Sequence, residues 1–174
     1  MDLKKPVTLI GLMGAGKTTV GLYLASKLNV DFVDSDREIE AQAGIDVAEI
    51  FSRDGEAFFR KVEAKTIDEI LARPKPLVLA TGGGAYLNES TRDIIKAKSI
   101  SIWLRAGIET LLERVEHNAM RPLLNNVDKR EMLEKLMQER YPIYQSADII
   151  VDTDSNSRTI VAGKILKELE ALAR

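Results

Sequence analysis

Three groups of residues in this sequence have types and spacings suited to chemistry on phosphate. In the first, Gly11, Gly16, Lys17 and Thr18 keep the spacing G-x-x-x-x-G-K-T within "GLMGAGKT". Glycines let backbone N–H groups turn inward around phosphate oxygens, and a helix N-terminus behind them adds partial positive charge. In such a loop Lys17 reaches the β- and γ-phosphates, and the Thr18 hydroxyl becomes a ligand of Mg²⁺. Gly14, Ala15, Gly16, Lys17, Thr18 and Thr19 are the candidate nucleotide contacts. No Asn-Lys-x-Asp guanine-reading motif occurs, so ATP is favoured over GTP.

The second group is Asp34 and Asp36, on either side of Ser35. Read as the end of a strand, residues two apart point to the same side, which aims both carboxylates at the phosphates. One can hold hydrated Mg²⁺ and the other can accept a proton from a substrate hydroxyl.

The third group is cationic and glycine-rich. Arg60 and Glu63, three apart in "FFRKVE", are neighbours on a helix face, with a weak surface ion pair as the plain alternative. "TGGG" (Thr81 to Gly84) lets backbone approach a ligand closely. Arg140 stands in "RYPIY", before Pro142, read here as a helix stop. Guanidinium forks match carboxylates bidentately, so this set points to a small, polyhydroxylated, anionic acceptor.

These groups need elements to hold them. "VTLIG" is a short apolar run of the kind found in buried parallel strands. Val20, Leu24 and Leu28 then fall on one face of a helix from Lys17 to Leu28. "DFVDSD" (Asp31–Asp36) reads as a strand, followed by a helical region to about Leu71 with breaks at Gly44 and Gly55. "PLVLATGGG" is a strand opening into a loop, and "SISIWL" alternates like a strand. Helical spacing returns at Ile108, Leu111, Leu112 and Val115, while "HNAMRPLLNNVD" (His117–Asp128) is polar and aperiodic. A helix up to Pro142, a fifth strand "DIIVDT" and a final helix facing inward with Val161, Ile165, Leu169 and Leu172 complete the chain. Alternating strands and helices predict an α/β fold with a parallel sheet, whose ligands sit beyond the carboxyl ends of the strands.

The 174 residues fit one domain, with a substrate-binding helical region at about 35–71 and a lid at about 117–128. A net charge of -2 offers nothing to attract nucleic acid. The absence of cysteine excludes disulfides and thiolate metal sites. No run approaches the ~20 apolar residues of a membrane span, so the expectation is a cytoplasmic monomer. Two residues with reactive or bulky side chains have plainer readings: His117 as an exposed bystander at the lid edge, and Trp103 as core.

"GLMGAGKTT", "DSD", "FRKVE", "TGGGA", "MRPLL" and "ERYPIY" follow the order and approximate spacing of the shikimate kinase family, and the resemblance spans essentially the whole chain. It implies a three-layer P-loop kinase fold with a five-stranded parallel sheet in the order 2-3-1-4-5. It also implies transfer of the γ-phosphoryl of ATP to the 3-hydroxyl of shikimate, on the route to chorismate and the aromatic amino acids. By the same resemblance Asp36, Arg60, Arg140 and the loop of Gly82, Gly83 and Gly84 match shikimate contacts, with Glu63 orienting Arg60. Phe51 and Phe59 match apolar residues beside the ring, and each is equally readable as core. Asp34 and Thr18 match the Mg²⁺ positions, Arg121 the lid arginine over the phosphates, and Arg114 a residue beside adenine. Lys17, Asp36 and Arg121 are the expected catalytic set. Where many relatives carry an arginine in the adenine-capping turn, this chain has Asn156 in "DSNSR", with Arg158 available nearby. A gluconate kinase of the same fold, or a nucleotide-dependent switch without transfer activity, is the alternative.

Overall fold

A computed structural model describes residues 3–116, 128–154 and 157–172. Five parallel strands, β1 (Val7–Ile10), β2 (Asp31–Asp34), β3 (Leu77–Ala80), β4 (Ile100–Arg105) and β5 (Ile149–Asp152), form one sheet in the order β2-β3-β1-β4-β5. Strand β1 lies at the centre, pairing Val7 with Val78 on one side and with Ile100 on the other. Successive connections therefore run outward in opposite directions from β1, which opens a crevice beyond its carboxyl end.

Helices cover both faces. They are α1 (Lys17–Leu28), α2 (Ser35–Ala43), α3 (Val47–Asp54), α4 (Glu56–Leu71), α5 (Glu89–Lys98), α6 (Ile108–Glu116), α7 (Lys129–Tyr144) and α8 (Arg158–Leu172). The central strands β1 and β3 are buried at every position, as a sheet covered on both sides requires. Val20, Leu24 and Leu28 of α1 join Val161, Ile165 and Leu169 of α8 in the main core. A smaller cluster of Ile39, Ile50 and Phe59 holds α2, α3 and α4 together. The region between β2 and β3 thus has its own packing centre. Among the described residues no helix is long and apolar enough to cross a membrane.

Several elements differ from the sequence reading. Strand β2 stops at Asp34, and Asp36 is already in α2. The aspartates are therefore not two positions of one extended segment. Gly44 and Gly55 do end helices, each with positive φ. Strand β4 does not alternate, since Ser101 to Leu104 are all buried. Pro142 does not end α7, which continues to Tyr144. Leu172 is 59% exposed, so the inward stripe of α8 ends at Leu169. Helix α5, capped by Asn88 through its side chain to the Thr91 N–H, has no counterpart in the sequence reading.

Candidate active site

The loop between β1 and α1 owes its shape to local geometry. Gly14 and Gly16 adopt φ of 81° and 93°, a left-handed region that side chains disfavour. Gly16 caps α1 without any side-chain hydrogen bond, and the first turn carries no acidic residue. Lysine is poorly matched to the positive end of a helix dipole, yet Lys17 is the first residue of α1. Its Nζ donates to the carbonyls of Gly11 (2.7 Å) and Leu12 (3.0 Å). Amides, dipole and ammonium together concentrate positive potential at one point, and an anion is the partner that relieves it.

Arg114 ties this loop to the far side of the sheet. Its guanidinium donates to the carbonyls of Gly14 and Ala15, and to both the hydroxyl and the carbonyl of Thr153 beyond β5. Arg158 lies with its Cζ 5.7 Å from the Tyr23 ring centre and lines the same cavity as Arg114. The two arginines mark the end of the cavity away from α2. Arg121, Asn156 and His117 lie outside the described residues, as does the 117–127 part of the expected lid. Asp128, the last residue of that segment, caps α7 by accepting from the N–H groups of Arg130 and Glu131.

At the other end, Asp34 is the N-cap of α2. Its Oδ1 accepts from the amides of Asp36 (3.0 Å) and Arg37 (3.3 Å), and neither cap bond uses Oδ2. Asp36 follows in the first helical turn. Both line the cavity, so they converge through a strand-to-helix turn. The wider set of described residues contains no group of three or more His, Asp or Glu side chains that could cage a metal. One carboxylate with a threonine hydroxyl nonetheless suits Mg²⁺, which keeps waters and takes phosphate oxygens.

Arg60 and Glu63 do not form the weak surface pair considered as an alternative. The Arg60 Nη1 donates to Glu63 Oε2 at 2.6 Å, and the Glu63 side chain is fully buried. Burial raises the Glu63 carboxyl to about 7 against the pull of Arg60, and the nearby Asp36 adds to the rise. Phe51 and Phe59 pack with ring centres 4.6 Å apart, and the Arg60 guanidinium lies 5.8 and 5.3 Å from them. Phe59 is core and Phe51 is partly buried beside it.

None of Gly82, Gly83 and Gly84 has positive φ. Space, rather than backbone freedom, explains them. A Cβ on Gly82 would lie 2.9 Å from Asp36 Oδ1 and 3.1 Å from Glu63 Oε1. One on Gly83 would lie 3.2 Å from Arg140 Nη1, and one on Gly84 only 2.2 Å from Arg60 Nη2. Each glycine leaves room for a different charged residue, and all three line the cavity with Asp36, Arg140 and the phosphate loop. The cavity measures about 790 Å³.

Arg140 is set apart from Arg60 by its surroundings. Arg60 has Glu63 and Glu56, whereas among the described residues Arg140 has no carboxylate partner and its buried Nε has no acceptor. A guanidinium with no carboxylate partner and an unused buried N–H, beside a cavity, suits an anion. Trp103 is core, as expected, packed edge-on against Tyr141 at 4.8 Å. The sequence reading overlooked Tyr144, whose hydroxyl donates to the Gly83 carbonyl. Its four-residue spacing from Arg140 was a signal, masked by treating Pro142 as a stop.

Comparison with known proteins shows which family the chain resembles. The family model described as shikimate kinase matches residues 13–170. A shikimate kinase of Paramagnetospirillum magneticum is 52% identical over 149 residues, 86% of this chain and 76% of that one. One from Cereibacter sphaeroides is 46% identical over 96% of this chain and 83% of its own. Among solved structures, the shikimate kinase of Acinetobacter baumannii in complex with shikimate superposes with a TM-score of 0.89. It is 38% identical and covers 96% of this chain and 93% of that one.

Proposed function

The chain belongs to the shikimate kinase family, and from that premise we propose how its own residues phosphorylate shikimate with ATP. The phosphates rest on the amides of Gly14, Ala15, Gly16, Lys17, Thr18 and Thr19, with the base toward Arg114 and Arg158. Shikimate occupies the opposite end, its carboxylate against Arg140 and Arg60 and its 3-hydroxyl toward Asp36. The observation that carries this reading is the fit of three consecutive glycines to three separate charged groups beside a phosphate loop.

Transfer of a phosphoryl group leaves the protein little covalent work. Its part is positioning and stabilisation of charge. Lys17 moves from the loop carbonyls to the transferring group, and Arg121, matched by the family resemblance, supplies a second cation to the same oxygens. Asp36 orients the 3-hydroxyl and takes its proton as the new O–P bond forms and the bond from the γ-phosphorus to the β-phosphate oxygen breaks, releasing ADP. Glu63 holds Arg60 in place and does not touch the reacting atoms. The Thr18 hydroxyl and the Asp34 carboxylate would hold Mg²⁺, which would supply neutralisation of the charge developing on the phosphates. Water has to be kept from the phosphates, because its attack on ATP is the competing reaction. The enzyme acts in the cytoplasm as a monomer, with neither nucleic acid nor membrane as a partner.

ADP release in a coupled assay tests the reading, with shikimate, gluconate or no acceptor supplied. Release should depend on shikimate and remain at background with gluconate. Equal rates with gluconate would make the chain a general sugar-acid kinase. Equal rates without acceptor would make it an NTPase.

A further inference from the structure

The hydroxyl of Tyr144 lies under the acceptor site at a point that the proposed reaction does not use. The side chain is fully buried, and its hydroxyl donates to the carbonyl of Gly83. Gly83 is the glycine whose Cα faces Arg140. On α7, Arg140 and Tyr144 are four residues apart, hence on the same helical face. Burial raises the Tyr144 pKa, while the nearby Arg140 guanidinium works to lower it. The phenol therefore keeps its proton and acts as a donor to Gly83.

Pro142 lies inside α7 between the two residues and cannot donate to the carbonyl of Gln138, a substitution that costs about 3 kcal/mol in a helix interior. The last turn carries Tyr144, which is anchored on both sides. Its ring sits 5.8 Å from Trp103 and 6.4 Å from Tyr86 between centres, and its hydroxyl is bound to the glycine loop.

We propose that Tyr144 is a positioning residue that fixes Arg140 and the Gly83 peptide relative to each other, and so sets the geometry of the acceptor's carboxylate subsite. This rests on the reading of Arg140 as the carboxylate partner. Tyr144 touches neither substrate. Its contribution belongs to acceptor binding, leaving nucleotide binding unaffected.

Tyr144→Phe deletes the hydroxyl and keeps the ring. Calorimetric titrations of shikimate and of ATP are compared in the wild type, Tyr144→Phe, Arg140→Ala and the double variant. Fluorescence of Trp103, the only tryptophan, reports whether the aromatic packing is intact. We expect Tyr144→Phe to weaken shikimate binding about 10-fold in the wild-type background, the scale of one hydrogen bond. In the Arg140→Ala background the same change should alter it less than about 2-fold, because coupled residues are not additive. ATP affinity and Trp103 emission should stay unchanged. Gly83→Ala, which crowds Arg140 from the loop side, should give the same selective loss.

Equal losses in both backgrounds, or a loss shared with ATP, would overturn the proposal while leaving Arg140 as the carboxylate partner. Shikimate binding by Arg140→Ala at wild-type strength would overturn the subsite reading and the proposal with it.

Discussion

The guanidinium of Arg60 stands where a side chain on Gly84 would go: a Cβ there would lie 2.2 Å from Nη2 and 2.8 Å from Cζ. Gly84 has φ of -94° and ψ of -12°, a negative-φ conformation that is open to alanine as well as glycine. Gly84→Ala should therefore act only by displacing Arg60. Loss of one charge-assisted hydrogen bond to the acceptor is worth about 1.5–3 kcal/mol, or about 10- to 150-fold in shikimate affinity. ATP affinity should not change. A Gly84→Ala protein that binds shikimate normally would remove Arg60 from the acceptor site.

Arg140 should carry more of the binding, because no carboxylate among the described residues shares it. Arg140→Ala should weaken shikimate by about 2–5 kcal/mol, which corresponds to about 30- to 5,000-fold. Arg140→Lys should recover only part, since an ammonium lacks the planar fork. Titration calorimetry of both ligands into both variants is the check, with ATP binding expected to be nearly untouched.

The two aspartates should separate by function although they sit in one turn. Asparagine caps helices about as well as aspartate, so Asp34→Asn should preserve α2 and the melting temperature while raising the Mg²⁺ concentration needed for half-maximal rate. Asp36→Asn keeps its shape but cannot take a proton. Turnover should fall about 10²- to 10⁴-fold, the range for a general base, with Mg·ATP affinity retained. Rates measured against Mg²⁺ and shikimate in turn distinguish the two.

Glu63 makes stability depend on pH with the sign opposite to that of most paired carboxylates. Its pKa rises from an ordinary 4.5 to about 7 in the folded chain, chiefly through burial. Below about 4.5 both states hold the proton. Between 4.5 and 7 only the folded state does, so the stability from this group declines as pH rises and is gone above about 7. Glu63→Gln has no such dependence. Relative to that variant, the wild type should lose on the order of 3 kcal/mol across the window. Denaturant melts of both proteins at pH 4.5, 5.5, 6.5 and 7.5 measure the difference. Parallel curves would mean that Glu63 is ionised throughout.

What the sequence determined by itself was whatever depends on neighbours along the chain. The phosphate loop was legible because its chemistry is backbone amides and glycine dihedrals over eight consecutive residues, Gly11 to Thr18. The sheet was legible because "VTLIG" and its counterparts are short apolar runs between amphipathic helices, and the order of the strands followed from the family resemblance. Arg60 and Glu63 were adjacent by helical period, but whether that pair was a surface ornament or a buried site depended on what covered it.

Only the tertiary structure decided the acceptor end. Gly82, Gly83 and Gly84 need no unusual dihedral, so their reason lies in residues 19 to 57 positions away along the chain, brought alongside by the sheet and by α7. Asp36 looked like a strand residue and stands in the first turn of α2, because β2 ends with its last pairing to β3, Asp34 opposite Ala80, and Asp34 then caps the helix. Pro142 looked like a stop on local propensity, and burial of Tyr144 against Gly83 and Trp103 outweighs that propensity. Local sequence sets which groups are present and which dihedrals they accept. Excluded volume and burial between distant segments decide which of those groups face one another, and no spacing along the chain encodes that.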